Sequence, residues 1–94
     1  MREYELMVIF HPDLNEDAMA DLIKRISGWI TDDGGEIVKI DNWGKRTLAY
    51  PIRKQTHGQY VLLHTKMSPT FGATLERNLG YVEPVMRFLI VVKE

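Results

Sequence analysis

The pattern that most constrains this chain is a strand–helix–strand alternation that occurs twice within 94 residues. Residues 2–10 (REYELMVIF) are apolar and aromatic-rich without Gly or Pro, the composition of a central strand. His11-Pro12 ends it. Asp13 followed by Glu16 has capping-box spacing. Met19, Leu22, Ile23, Ile26, Trp29 and Ile30 then recur at helical steps, the stripe of an amphipathic helix. Gly34-Gly35 supplies the left-handed geometry that stops it. A second strand is expected over about residues 36–48 and a third over about 59–67. Between them Tyr50-Pro51 and Gly58 predict a loop rather than a tight two-residue turn. Ser68-Pro69 opens a second helix with Phe71, Leu75 and Leu79 on its apolar edge and Gly80 as its cap. Residues 85–92 (VMRFLIVV) make a last strand, apolar enough to expect cover on much of both faces.

In one domain spanning 1–94, this order predicts an α+β fold, the ferredoxin-like split βαβ sandwich. Its layout is β-α-β-β-α-β, with two helices on one face of a four-stranded antiparallel sheet and the first and third strands central. The other face is left bare. Alternation puts Val61, Leu63 and Thr65 on one side of the third strand and Tyr60, Leu62, His64 and Lys66 on the other. Tyr60 and Leu62 are therefore expected on the open face, where an apolar patch marks a binding surface. The second strand is an edge beside it with Trp43 and Tyr50 near, and aromatics at such a place are typical interface anchors.

Net charge is only −1, but its distribution is uneven. Residues 1–38 carry nine acids and three bases (−6), whereas residues 39–94 carry nine bases and four acids (+5). The segment WGKRTLAYPIRK, Trp43 to Lys54, holds four cations (Lys45, Arg46, Arg53, Lys54) and no acid. That excess of positive charge beside aromatics suits contact with phosphate. Lys45 and Arg46 are adjacent, so on a regular strand they point to opposite faces; Gly44 before them offers a bend that would let both reach one groove. Catalytic chemistry is sparse. There is no cysteine, and His11, His57 and His64 are scattered without metal-site spacing. No glycine-rich phosphate loop is present. The expectation is a protein that is not an enzyme and takes no cofactor, metal or small-molecule substrate. The third strand also lacks the aromatic motif of single-strand RNA readers, and Tyr60 alone cannot stack several bases. RNA contact is then expected through the phosphate backbone. No apolar run reaches the roughly 18 residues of a membrane span, and MREYE is unlike a signal peptide, so a cytoplasmic location without membrane partners is expected.

MREYE with its apolar strand and HPDL, then WGKRTLAYPI, GQYVLLHTKM and VMRFLIVVK, resemble in this order the family of the sixth protein of the bacterial small ribosomal subunit. The resemblance runs over nearly the whole chain. It implies a structural constituent of the ribosome that binds small-subunit ribosomal RNA in the central domain and platform. It also implies a heterodimer with small-subunit protein eighteen. Carried onto this chain, Arg2, Lys45, Arg46 and Arg87 become the RNA-contacting candidates, with Arg53 and Lys54 beside them. Thr47 stands where some relatives carry a further cation. Trp43, Tyr50, Tyr60 and Leu62 become the partner-docking candidates. The competing reading on the same fold is a regulatory module that dimerises through its open sheet face.

Overall fold

The six expected elements form in the expected order: β1 (Arg2–Phe10), α1 (Glu16–Asp32), β2 (Glu36–Ile52), β3 (Gln55–Met67), α2 (Phe71–Gly80) and β4 (Val85–Val92). The computed structural model describes residues 1–93. The strands form one antiparallel sheet in the order β2-β3-β1-β4, so β1 and β3 are central. Between them the register runs unbroken from Arg2↔Met67 to Phe10↔Gln59. Leu6, Val8 and Phe10 of β1 and Val61 and Leu63 of β3 are fully buried in one core with Ile26 and Ile30 of α1 and Leu75 and Leu79 of α2. Both helices therefore seal the same side of the sheet.

The helix ends differ in detail from expectation. Asp13 does not cap α1. The cap is Asn15, whose Oδ1 accepts the Ala18 amide at 2.8 Å, because the helix starts too late for Asp13 to reach its first turn. Asp13 is held in the preceding turn, where its own amide donates to His11 Nδ1 at 3.1 Å. Gly34 has φ +85°, as the stop of α1 requires. Gly80 is not a left-handed cap but the last residue of α2. The amides of Tyr81 and Val82 close right-handed turns onto Asn78 and Leu79, so no reversal is needed there.

The β2–β3 connection is tighter than the loop expected. β2 continues to Ile52 and β3 begins at Gln55, leaving Arg53 and Lys54 as a two-residue turn with φ +48° and +64°. Both residues occupy the left-handed region that such hairpin turns demand. The surplus length is absorbed in a register break. Between the pairs Thr47↔His57 and Ile52↔Gln55, residues 48–51 of β2 stand against Thr56 alone. Pro51, which has no amide to donate, is tolerated in this irregular stretch of an edge strand.

The same hairpin curls over the bare face. Leu48 forms a second small cluster with Ile9 of β1 and Met86 of β4, and Ile52 and Tyr60 pack against it. At the tip, the Arg53 guanidinium donates to the Glu83 carbonyl at 2.8 Å, just before β4. Gly58 makes this approach feasible, since a Cβ there would sit 2.5 Å from Ile9 Cγ2. Beyond the hairpin the face stays open. Leu89 and Val91 of β4 are 60% and 49% exposed, so the expected cover on both faces of this strand is absent. β4 is an edge strand with helices on one side only, and its apolar sequence does not reveal which side is bare.

Candidate nucleic-acid interface

A bulge in β2 creates the centre of the open face. Asn42 Oδ1 accepts the Gly44 amide at 2.9 Å, Gly44 adopts φ +76°, and the register shifts between Asn42 and Gly44. Trp43 is the extra residue. Its ring stacks on Tyr60 at 6.4 Å between centroids and 8° between planes. The Arg46 guanidinium lies 6.0 Å from the Trp43 ring centroid, and its Nε donates to the Trp43 carbonyl at 3.1 Å. A second cation–aromatic pair spans the sheet, with Arg87 of β4 5.7 Å from the ring centroid of Tyr50 on β2.

These pairs flank one transverse row of the sheet. Gly44 faces Tyr60, Tyr60 faces Ile9, and Ile9 faces Arg87, so the row crosses all four strands. Between the curled hairpin and this row lies a cleft of about 200 Å³, floored by Ile9, Leu48 and Ile52 and walled by Tyr50, Tyr60 and Arg87. Leu62 lies beside it on the same face, opposite Met7 and only 9% exposed.

The candidate cations are not gathered into one set. Arg46 and Arg87 share the open face. Lys45 pairs with Gln59, whose side-chain amide donates to the carbonyls of His11, Pro12 and Leu14 at the entrance to α1. Lys45 therefore lies on the helix side. The Gly44 bend expected to bring it beside Arg46 exists, yet the two cations still diverge, because the bulge ends before Lys45 and normal alternation resumes. Arg2 sits at the opposite end of β1, about 23 Å from Ile9 at the rise of an extended strand. Arg53 is engaged by the Glu83 carbonyl, and Lys54 is exposed at the hairpin tip.

The far end of the open face is polar. His64 Nε2 lies 3.1 Å from Asp41 Oδ2, Lys39 Nζ 3.5 Å from Asp41 Oδ1, and Lys66 Nζ 3.9 Å from Glu3 Oε1. The hydrogen bond from His64 holds the Asp41 carboxyl below its usual range; partial desolvation opposes this and the nearby Lys39 charge assists it. The other two histidines are also held locally, His57 against Thr56 Oγ1 and His11 against the Asp13 amide. Among the described residues no three carboxylate or imidazole groups gather as metal ligands would, and no helix is long and apolar enough to cross a membrane.

Sequence reasoning missed the cleft and its apolar floor. Ile9 and Leu48 read as ordinary strand residues and Ile52 as part of a loop, and nothing in their spacing shows that the hairpin folds over the sheet. The pairing of Tyr50 with Arg87 joins opposite edges of the sheet and has no local signature. Gly58 was the available clue, as a glycine inside a strand pattern marks close backbone approach.

Fold and face together define a ferredoxin-like α+β protein whose uncovered sheet carries aromatics and arginines. A sequence profile described as Ribosomal protein S6 matches residues 3–92, and the chain belongs to that family of small-subunit ribosomal proteins. It is 46% identical over 91 residues to the small ribosomal subunit protein bS6 of Caldanaerobacter subterraneus subsp. tengcongensis, covering 97% of this chain and 96% of that one. The protein of the same name from Clostridium novyi is 40% identical over 94 residues, covering 100% and 99%. The crystal structure of 30S ribosomal protein S6 from Thermotoga maritima superposes with a TM-score of 0.91 at 26% identity, covering 98% of this chain and 87% of that one. These relatives are named as ribosomal components, and the chain is not an enzyme.

Proposed function

We propose that this chain binds small-subunit ribosomal RNA in the central domain and platform as a heterodimer with small-subunit protein eighteen. The observation that carries the reading is the coincidence, on one uncovered face, of aromatic anchors with two arginines. Trp43, Tyr60 and Leu62 supply the protein-docking anchors and Tyr50 stands at their rim. Arg46 and Arg87 extend positive charge across the same face. Because β2 is an edge strand, an RNA backbone along its free edge meets Arg46 from one side and Lys45 from the other. Lys54 at the hairpin tip, Arg53 behind it and Arg2 at the far end of β1 widen the footprint without sharing one groove. With a net charge of −1 the chain alone binds RNA weakly, and a basic partner supplies the remaining affinity.

Two measurements test this. Changing Lys45 and Arg46 together to Ala should weaken binding to a central-domain RNA fragment. It should also flatten the slope of log-affinity against log-salt by about 0.7–0.9 for each phosphate no longer neutralised. An unchanged slope in a folded variant removes both residues from the RNA footprint. The variant Tyr60→Ala/Leu62→Ala should lose the heterodimer in sedimentation, and with it the share of RNA affinity that the partner supplies. Pairing at undiminished affinity would show that the partner docks elsewhere.

A further inference from the structure

We infer that the cleft under the β2–β3 hairpin is a stacking site for one unpaired RNA nucleotide, the base lying against Tyr50 and Tyr60 and the phosphate meeting Arg87. The inference rests on the RNA-binding reading above and assigns that reading a subsite. Tyr60 is backed by Trp43 in a near-parallel stack, and Tyr50, 54% exposed, stands on the other wall with the Arg87 guanidinium 5.7 Å from its ring centroid. The floor is apolar, and among the described residues no carboxylate lines the cleft. Arg87 stands at its mouth and Arg46 behind Trp43, so both cations nearest the aromatic rings have the same sign. Charge complementarity selects the occupant. A nucleotide brings a flat π surface and an anion on one unit, which suits aromatic walls beside an arginine. The sheet face is thereby shared: its hairpin end takes RNA, Tyr60 serves both ligands, and Trp43, Leu62, Leu89 and Val91 remain for protein.

The test uses the full chain, labelled for NMR, with two probes at low salt: hexaadenylate RNA, and an abasic oligomer of equal length with the same phosphates. Hexaadenylate should shift the signals of Tyr50, Tyr60, Trp43 and Arg87 and bind more tightly than the abasic oligomer. Tyr50→Leu, which keeps apolar bulk but removes the ring, should weaken hexaadenylate by about tenfold and leave the abasic oligomer unchanged. Tyr50→Phe should restore hexaadenylate binding, and Arg87→Gln should weaken both probes. Equal affinity for the two probes, shifts confined to other surfaces, or undiminished hexaadenylate binding by Tyr50→Leu would each overturn the stacking site. So would a Tyr50→Leu variant that loses only the protein partner, which would make the cleft a protein-docking pocket. If the stacking site fails while the Lys45/Arg46 salt slope still flattens, the broader reading survives; if that slope is also unchanged, both fall.

Discussion

On the helix side of the sheet, Leu6, Val8, Phe10, Val61 and Leu63 are wholly removed from water and pack in an apolar cluster. The residues interleaved with them on the same two strands, Met7, Ile9, Tyr60 and Leu62, look out on a face where rings, arginines and ion pairs lie side by side. One strand thus does two jobs with alternate residues. The side that must hold the fold together is chemically uniform, and the side that must meet other molecules is varied. Burial on the open side is local, achieved by curling a hairpin over part of it rather than by adding a layer.

Substitutions placed on matched positions can break that contrast. Leu63→Ala should cost about 2–5 kcal/mol, since it empties a sealed position, whereas Leu89→Ala should stay within about 0.5 kcal/mol. Urea unfolding of the two variants measures both, and equal losses would abolish the distinction between faces. Gly58→Ala tests the hairpin's seat. Its new methyl meets Ile9 Cγ2, which the branched Cβ cannot swing aside, so a loss of about 1–3 kcal/mol is expected. In an Ile9→Ala background the same change should cost less, a coupling that a double-mutant cycle reads directly.

Thr65 sharpens the comparison from the other direction. It is 1% exposed on the apolar side, and its hydroxyl has no hydrogen-bond partner within the protein. Thr65→Val should therefore stabilise by about 1 kcal/mol, measured by the shift in denaturation midpoint at constant slope. The smallest effect is expected at Asp41. Its carboxyl titrates below the ordinary range in the folded state, so its contribution is present above that range and disappears as pH falls through the lowered value. The stability advantage of the native chain over Asp41→Asn should shrink on acidification, and His64→Ala should return the Asp41 titration, followed by NMR, towards normal.

Much of this was legible in the residues because it depends on period. The 3.6-residue stripe of α1, the alternation along β3 and the left-handed stop at Gly34 need only local rules, and the structure agrees with each. What escaped depends on distant contacts. The strand length past Tyr50-Pro51 was hidden because a proline and two cations carry the chemistry of a loop, while the sheet edge tolerates all three. Lys45 and Arg46 were readable as neighbours that a regular strand sends to opposite faces, but whether the Gly44 bend reunites them is settled only by where the Trp43 bulge ends. The exposure of β4 was illegible for a similar reason. An apolar strand covered on one side has the same composition as one covered on both.

That edge strand has a consequence for the life of the chain before it reaches its assembly. VMRFLIVV presents an unpaired hydrogen-bonding edge together with the exposed side chains of Leu89 and Val91, the features by which one sheet recruits another. Arg87 is the one charge in the run, and in a free copy it acts as a gatekeeper against stacking of like strands. A cell that makes more of this chain than it makes sites for should see the surplus clump, in proportion to concentration. Replacing Arg87 by an apolar residue should lower the concentration at which that begins.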